Sequence, residues 1–344
     1  MSGIKMEDVA RHANVSVATV TRALNEPERV SAKTRERIMK SIDELNYIPN
    51  RMAGALKNRN TGILGNVMLS TGDNPYFALV RERLSINAEK NGFHLMTVTT
   101  NKDERKESYM IDELMGWMVE GIIFTGQILL PQSDIEKILK QNIPVIMIER
   151  PIDVYGVDKV FINDIEGSSM AADVFLSHGH RHIAFIGVDR PQRVESERYN
   201  GFRQTLERNR VELSEKDIVF RKDYSVEDGY RAAQCLFERY AGSPLADMPT
   251  AYFVSCDILA CGVLQFLYEK RIRVPDDVSI IGYDNTTSSS CAPQISTIAM
   301  PFDEIGKNAL DLFLERKNQK RVSGKSVELS PYFVDRYSVS YLNK

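Results

Sequence analysis

Two groups of residues in this 344-residue chain have types and spacings that suit molecular recognition. Ser16, Val17, Ala18, Thr19, Thr21, Arg22 and Asn25 crowd one helical window. A helix laid in the DNA major groove reads base edges with such residues: Arg22 can fork onto guanine, while Val17 and Ala18 offer methyl surface to thymine. Asn50, Arg51, Ala53 and Leu56 follow, in a segment from Pro49 to Lys57 that is too short for a stable isolated helix and is weakened further by Gly54. Such a segment suits a minor-groove element whose apolar side chain, Leu56, wedges between base steps. The second group is dispersed: Asn74, Phe77, Arg150, Arg198, Tyr224, Asp257 and Asp284, read as lying just beyond strand ends. Planar Arg and Asp groups beside an aromatic face are what a polyhydroxylated ligand needs.

The elements that must carry these residues follow from periodicity. Met6, Val9, Ala10 and Ala13 mark one face of a first helix. Ser16 caps a second over Val17 to Asn25, with Val17, Val20 and Leu24 as its inward positions. Ser31 caps a third that runs through Ile42 and Leu45 to Asn46 and ends before Pro49. This is an all-α helix-turn-helix head at 1–48, followed by a hinge helix and linker at 49–61. From Gly62 strands and helices alternate. Strands are expected at 63–69, 93–100, 121–125 and 145–149, then at 159–162, 183–188, 218–221, 251–255 and 278–283. That pattern predicts an α/β core of two doubly wound lobes, with a ligand cleft at the strand C-terminal ends. The helix at 302–319 and the strand at 332–339 return to complete them. The expected division is 62–162 with 296–324 in lobe 1, and 163–295 with 325–344 in lobe 2.

Composition excludes other classes. No apolar run approaches the roughly 20 residues of a bilayer span, and the first residues lack a signal-peptide stretch. A cytoplasmic protein is expected, on the nucleoid when DNA-bound, with no membrane partner. The four cysteines have no CxxC spacing and read as reduced. Residues 1–62 carry 11 Lys/Arg against 7 Asp/Glu, leaving 33 against 40 elsewhere: a basic head on an acidic body. No Walker loop, GxGxxG, HExxH or GxSxG occurs, so neither an enzyme nor a cofactor is expected. His178-Gly-His-Arg-His182 could suggest a metal, but Gly179 sits where a helix C-cap belongs and no metal site is expected. Met110, Leu114 and Trp117, at helical spacing, read as core.

Glu7-Asp-Val-Ala10, Asn14-Val-Ser-Val-Ala-Thr-Val-Thr-Arg-Ala-Leu-Asn25, Val30-Ser-Ala-Lys-Thr-Arg35 and Leu45-Asn-Tyr-Ile-Pro-Asn-Arg51 resemble the lactose-repressor/galactose-repressor family of bacterial transcription regulators. The resemblance covers essentially the whole chain. It implies a homodimer on a palindromic DNA operator, paired hinge helices with Leu56 prying open a central step, and a core like a periplasmic sugar-binding protein. It also implies a repressor of carbohydrate-utilisation genes governed allosterically by a sugar, sugar phosphate or sugar acid. Arg198-Tyr-Asn-Gly-Phe202 matches the family's effector-contacting arginine motif, and Asp284 a carboxylate that accepts ligand hydroxyls. The chain departs from the pattern at Cys256, where many members carry asparagine, and Arg150 adds a cation. The tetramerising leucine-heptad tail of the lactose repressor is not seen in Tyr337–Lys344, so a dimer is expected. A regulator that answers to a phosphoprotein partner is the open alternative.

Overall fold

The computed structural model describes residues 4–48, 60–68, 74–100, 103–126, 131–149, 154–189, 193–319 and 321–342. The chain forms two compact units, Met1–Thr61 and Gly62–Lys344.

In the first unit three helices, α1 (Met6–His12), α2 (Val17–Asn25) and α3 (Ala32–Glu44), enclose a small core of Val9, Ala13, Val20, Ala23, Ile38, Ile42 and Tyr47. The turn between α1 and α2 places Asn14 at φ 50, a left-handed conformation that asparagine tolerates better than most residues. The Ser16 hydroxyl accepts the Thr19 amide at 3.2 Å and so caps α2. Burial corrects one expectation: Val20 and Ala23 are the inward residues of α2, Leu24 packs at the margin, and Val17 is 39% exposed. Ser16, Ala18, Arg22 and Asn25 are exposed with it, and Thr19 and Thr21 are partly so.

The second unit holds two sheets with the same topology. In the first, β1 (Ile63–Met68), β2 (His94–Thr99), β3 (Ile122–Thr125), β4 (Val145–Ile148), β5 (Asp158–Ile162) and β11 (Ser326–Leu329) are ordered β2-β1-β3-β4-β5-β11, all parallel. In the second, β6 (Ile183–Val188), β7 (Ile218–Arg221), β8 (Ala251–Val254), β9 (Ser279–Asp284), β10 (Ser296–Ala299) and β12 (Tyr332–Val334) are ordered β7-β6-β8-β9-β10-β12, with only β12 antiparallel. Each sheet reverses its strand order at its first strand, so each opens a crevice beyond the strand C-termini, where α/β proteins bind ligands. Helices α4 (Pro75–Lys90), α5 (Glu104–Gly116), α6 (Gln132–Lys140) and α11 (Phe302–Gln319) serve the first lobe. The second has α7 (Asp164–Ser177), α8 (Arg193–Arg208), α9 (Val226–Glu238) and α10 (Asp257–Glu269).

The chain crosses between lobes three times, after β5, after β10 and after β11. The expected division is corrected at both late boundaries. Residues 296–299 pair with β9 and belong to lobe 2, while 326–329 pair with β5 and belong to lobe 1. A buried ion pair explains the second correction. Arg316 on α11 forks onto Asp158 at 2.8 and 3.0 Å, and Asp158 also takes Arg321 Nη1 at 2.9 Å and the Lys325 amide at 2.7 Å. That clamp holds the 321–325 loop and delivers β11 to the lobe 1 edge. β12 is shorter than expected because Arg336 leaves the ladder to donate to Asn285 Oδ1, Ser288 Oγ and the Ile295 carbonyl. Leu114 is core as expected, but Trp117 caps α5 and is 47% exposed.

Because Asp158 is fully buried among cations, Asp158→Ala should strand two guanidinium groups. We expect a loss of about 3–5 kcal/mol in urea unfolding; a loss under 1 kcal/mol would show that the clamp is dispensable.

Candidate functional site

The site forms where the strand C-termini of both lobes meet, and Arg198 is its centre. Its motif has a packing reason: a Cβ at Gly201 would lie 2.5 Å from the Ile165 carbonyl oxygen, so glycine lets α8 press onto the start of α7. One turn earlier Arg198 therefore reaches Asp164, with Nε to Oδ1 at 2.8 Å. Its Nη1 donates to the Ser255 carbonyl at 2.6 Å, just past β8, and Nη2 lies 3.1 Å from Asp284 Oδ1. The guanidinium also lies 3.7 Å from the Tyr283 ring centroid and touches Met300 Sδ at 3.9 Å. Arg198 and Asp284 are 3% and 4% exposed.

Around this centre the charge is predominantly negative. Glu195 accepts from Tyr224 Oη at 2.9 Å, Ser255 Oγ at 3.2 Å and the Val188 amide at 3.2 Å. Glu149, immediately after β4, faces the enclosed hydroxyl of Tyr76, which acts on its carboxyl as a donor, and neither Glu149 Oε1 nor the Tyr76 hydroxyl has a further partner among the described residues. Burial pushes the Glu149 carboxyl up to about 8, Asp164 adds to the rise and Arg198 opposes it. Burial likewise raises Asp284 to about 7 against the pull of Arg198. Both acids occupy left-handed backbone, at φ 70 and φ 95, a costly conformation for a residue with a Cβ that tends to gather at functional sites.

The expected binding residues divide in three. Arg198 and Asp284 meet directly, and Tyr224 joins them through Glu195. Phe77 packs edge-on against Tyr76 at the lobe 1 side, while Asn74 caps α4 by accepting the Tyr76 amide at 3.0 Å. Asp257 is turned to the fold instead: its oxygens accept the Thr286 and Ser288 amides at 2.7 and 3.3 Å and the Thr297 hydroxyl at 2.7 Å. Arg150 lies outside the described residues, as do Asn50, Arg51, Ala53 and Leu56 of the hinge. Glu149, Glu195 and Asp164 went unnoticed in the sequence. Glu149 carries a signal nonetheless: it directly follows the fourth strand of its lobe, as Asp284 ends the fourth strand of the other.

Cys256 is buried at the N-cap of α10 without a side-chain cap, so no amide stands where the family pattern often places one. Cys261 and Cys291 are free, with sulfurs 2.8 Å apart. The three histidines of 178–182 face three different partners. His178 meets the Val174 carbonyl, His180 meets Thr250 and the Ser340 carbonyl, and His182 meets Asp217 and Tyr240. Burial depresses His180 to about 4.

A carboxyl raised by folding stabilises the fold most below the ordinary carboxylate range. It withdraws that stability as pH rises toward its folded value. Glu149→Gln removes this penalty. The variant should therefore gain on the wild type by on the order of 1–3 kcal/mol between pH 5 and pH 8 in urea midpoints; parallel curves would show that Glu149 ionises freely.

Comparison with known proteins bears on both units. Residues 5–50 match the model described as "Bacterial regulatory proteins, lacI family", and residues 172–339 the "Periplasmic binding protein-like domain". The chain is 34% identical over 339 residues to the HTH-type transcriptional regulator DegA of Bacillus subtilis (strain 168), covering 98% of each. It is 30% identical to the ribose operon repressor of Haemophilus influenzae, covering 97% of this chain and 98% of that one. Among solved structures, the lac repressor dimer bound to operator and an anti-inducer superposes with a TM-score of 0.83 at 25% identity, covering 98% of this chain and 100% of the other. Those relatives are transcriptional regulators, not enzymes, and this chain belongs to the lacI family of bacterial DNA-binding regulatory proteins.

Proposed function

We propose that the protein is a homodimeric repressor that binds a palindromic operator and releases or tightens its hold when a sugar-like effector enters the cleft. The observation that carries the reading is Arg198. One buried guanidinium joins the cleft carboxylate Asp284 to Asp164 at the first interlobe crossover and Met300 at the second. A ligand that draws on Asp284 therefore perturbs the residues about which the lobes would turn. The printed names of relatives support the class of effector: a ribose operon repressor, and a solved regulator in complex with cellobiose.

The DNA side of the proposal rests on the exposed face of α2. Arg22 supplies the fork for a guanine, and Val17 and Ala18 present apolar surface where a merely structural helix would be polar. Asn50, Arg51, Ala53 and Leu56 are proposed to enter the minor groove between half-sites. A single small head binds weakly, so useful affinity comes from two heads held at fixed spacing. Gly62 is held firmly on lobe 1: its amide donates to Glu120 Oε1 at 2.6 Å, its carbonyl accepts from His94 N at 2.7 Å, and Glu120 pairs with Lys317. Movement of lobe 1 is thereby passed to the linker, and by linkage the effector changes operator affinity as much as the operator changes effector affinity.

Operators selected from random DNA by the full chain should be palindromic. On such an operator at fixed salt, Arg22→Ala should cost about 1–3 kcal/mol and relax preference at one symmetric base pair, a result that undiminished affinity would contradict. Leu56→Ala should weaken operator binding severely and leave ligand binding to the core unchanged. Operator affinity indifferent to every sugar would transfer control to a partner protein.

A further inference from the structure

Resting on the effector-cleft reading, we infer that the cleft selects a polyhydroxylated ligand carrying an ammonium group, an amino sugar or amino polyol, and rejects sugar acids and sugar phosphates. The inference comes from counting donors and acceptors. Arg198 is the one cation at the centre of the site among the described residues, and each of its three nitrogens already has a protein partner. Nε goes to Asp164, Nη1 to the Ser255 carbonyl, Nη2 to Asp284, and Tyr283 covers its face. A phosphate or carboxylate arriving there would have to displace an existing carboxylate and would then lie beside Glu149, Glu195 and the acid it had displaced. The amide donor that an asparagine at position 256 would supply is replaced by a buried thiol.

Among the described residues the acids at the centre of the site outnumber its cations, and a ligand can bring both positive charge and donors. Glu149 offers an enclosed oxygen that faces the Tyr76 hydroxyl, on a residue 6% exposed, and that pair has no cation or further donor among the described residues. Glu149 directly follows the fourth strand of lobe 1 and Asp284 ends the fourth strand of lobe 2, both in left-handed backbone, so each lobe brings one acid to the shared cleft. An ammonium group between them donates hydrogen bonds to both lobes at once and offsets the cost of keeping two carboxylates charged out of water. Glu149 is then a specificity-determining residue, and ligand binding draws its proton off into solution, because burial holds that carboxyl partly protonated at neutral pH until a cation arrives.

The test uses ligands matched on one carbon skeleton: 1-amino-1-deoxysorbitol, sorbitol, gluconate and sorbitol 6-phosphate, with the corresponding galactose and ribose series, titrated calorimetrically into the full-length protein at pH 7. Within the best-bound skeleton the amine should bind at least tenfold more tightly than the neutral polyol, and the two anions more weakly than either. Amine binding should release protons, read as a heat that varies with the ionisation enthalpy of the buffer. Glu149→Gln should reduce the ratio of amine to neutral-polyol affinity by most of its wild-type value and abolish the proton release. Tighter binding of an anion, equal binding of amine and polyol, no binding of the amines, or an unaltered preference in Glu149→Gln overturns the inference. Operator affinity measured on the same samples judges the regulator reading separately: a protein that binds operator and answers to gluconate refutes the charge selection and keeps the regulator.

Discussion

The fold of the core depends on how one guanidinium is kept out of water. Burying Arg198 costs several kcal/mol, which is offset only if good geometry and opposite charge are supplied on several sides. Asp164 comes from the start of α7, Asp284 from the end of β9, the Ser255 carbonyl from beyond β8, and the Tyr283 ring from within β9. These segments are far apart in sequence, and none can shift by an ångström without leaving charge unpaired. The glycine at 201 belongs to the same constraint, because any side chain there would hold α8 away from α7 and Arg198 short of Asp164. In the second clamp, of Arg316 and Asp158, the same physics serves assembly alone: it lies at the outer edge of lobe 1 and fixes which sheet receives β11.

The two clamps differ in what remains unsatisfied around them. Asp158 is ringed by Arg316, Arg321 and the Lys325 amide. At the cleft the excess runs the other way, with Asp164, Glu195, Asp284 and Glu149 gathered about one cation. Burial raises Glu149 and Asp284 into the neutral range, so these acids exchange charge for protons near neutral pH. A site in that condition responds strongly to whatever enters it, because an arriving donor changes both hydrogen bonding and ionisation.

What was legible in the sequence follows the range of the forces involved. The helices of the head were read closely because capping serines, the Asn14 turn and 3.6-residue periodicity are local signals, and Val17–Asn25 emerged with its expected bounds. Most core strands were legible as buried runs. The failures are tertiary. Ser326-Val-Glu-Leu329 has no run of apolar residues and becomes a strand because a clamp 168 positions upstream at Asp158 places it on an edge. Asp257 has the position of a ligand-facing acid, yet two loop amides and a threonine claim its oxygens, and no local pattern announces that. Arg198 and Asp284 were found through a motif. Glu149 was missed because it read as the last residue of a strand, although an acid closing an apolar strand in both halves of a duplicated fold was there to be seen.

That duplication does not extend to the charges at the two strand ends. The lobes repeat one another in strand order and each places an acid at the C-terminal end of its fourth strand, but among the described residues only the second lobe's acid is paired with an arginine. Asp284 is therefore paired with a guanidinium before any ligand arrives, while Glu149 faces only the Tyr76 hydroxyl among the described residues. A ligand held by both gains more from lobe 1 than from lobe 2, since the lobe 1 acid has more unmet interaction to satisfy. Lobe 1 is also the lobe to which the linker is fastened, through Gly62, Glu120 and Lys317. In the regulator proposed above, that imbalance concentrates the differential binding energy on the lobe that leads to the head, and only a difference in binding between two arrangements can move an equilibrium between them.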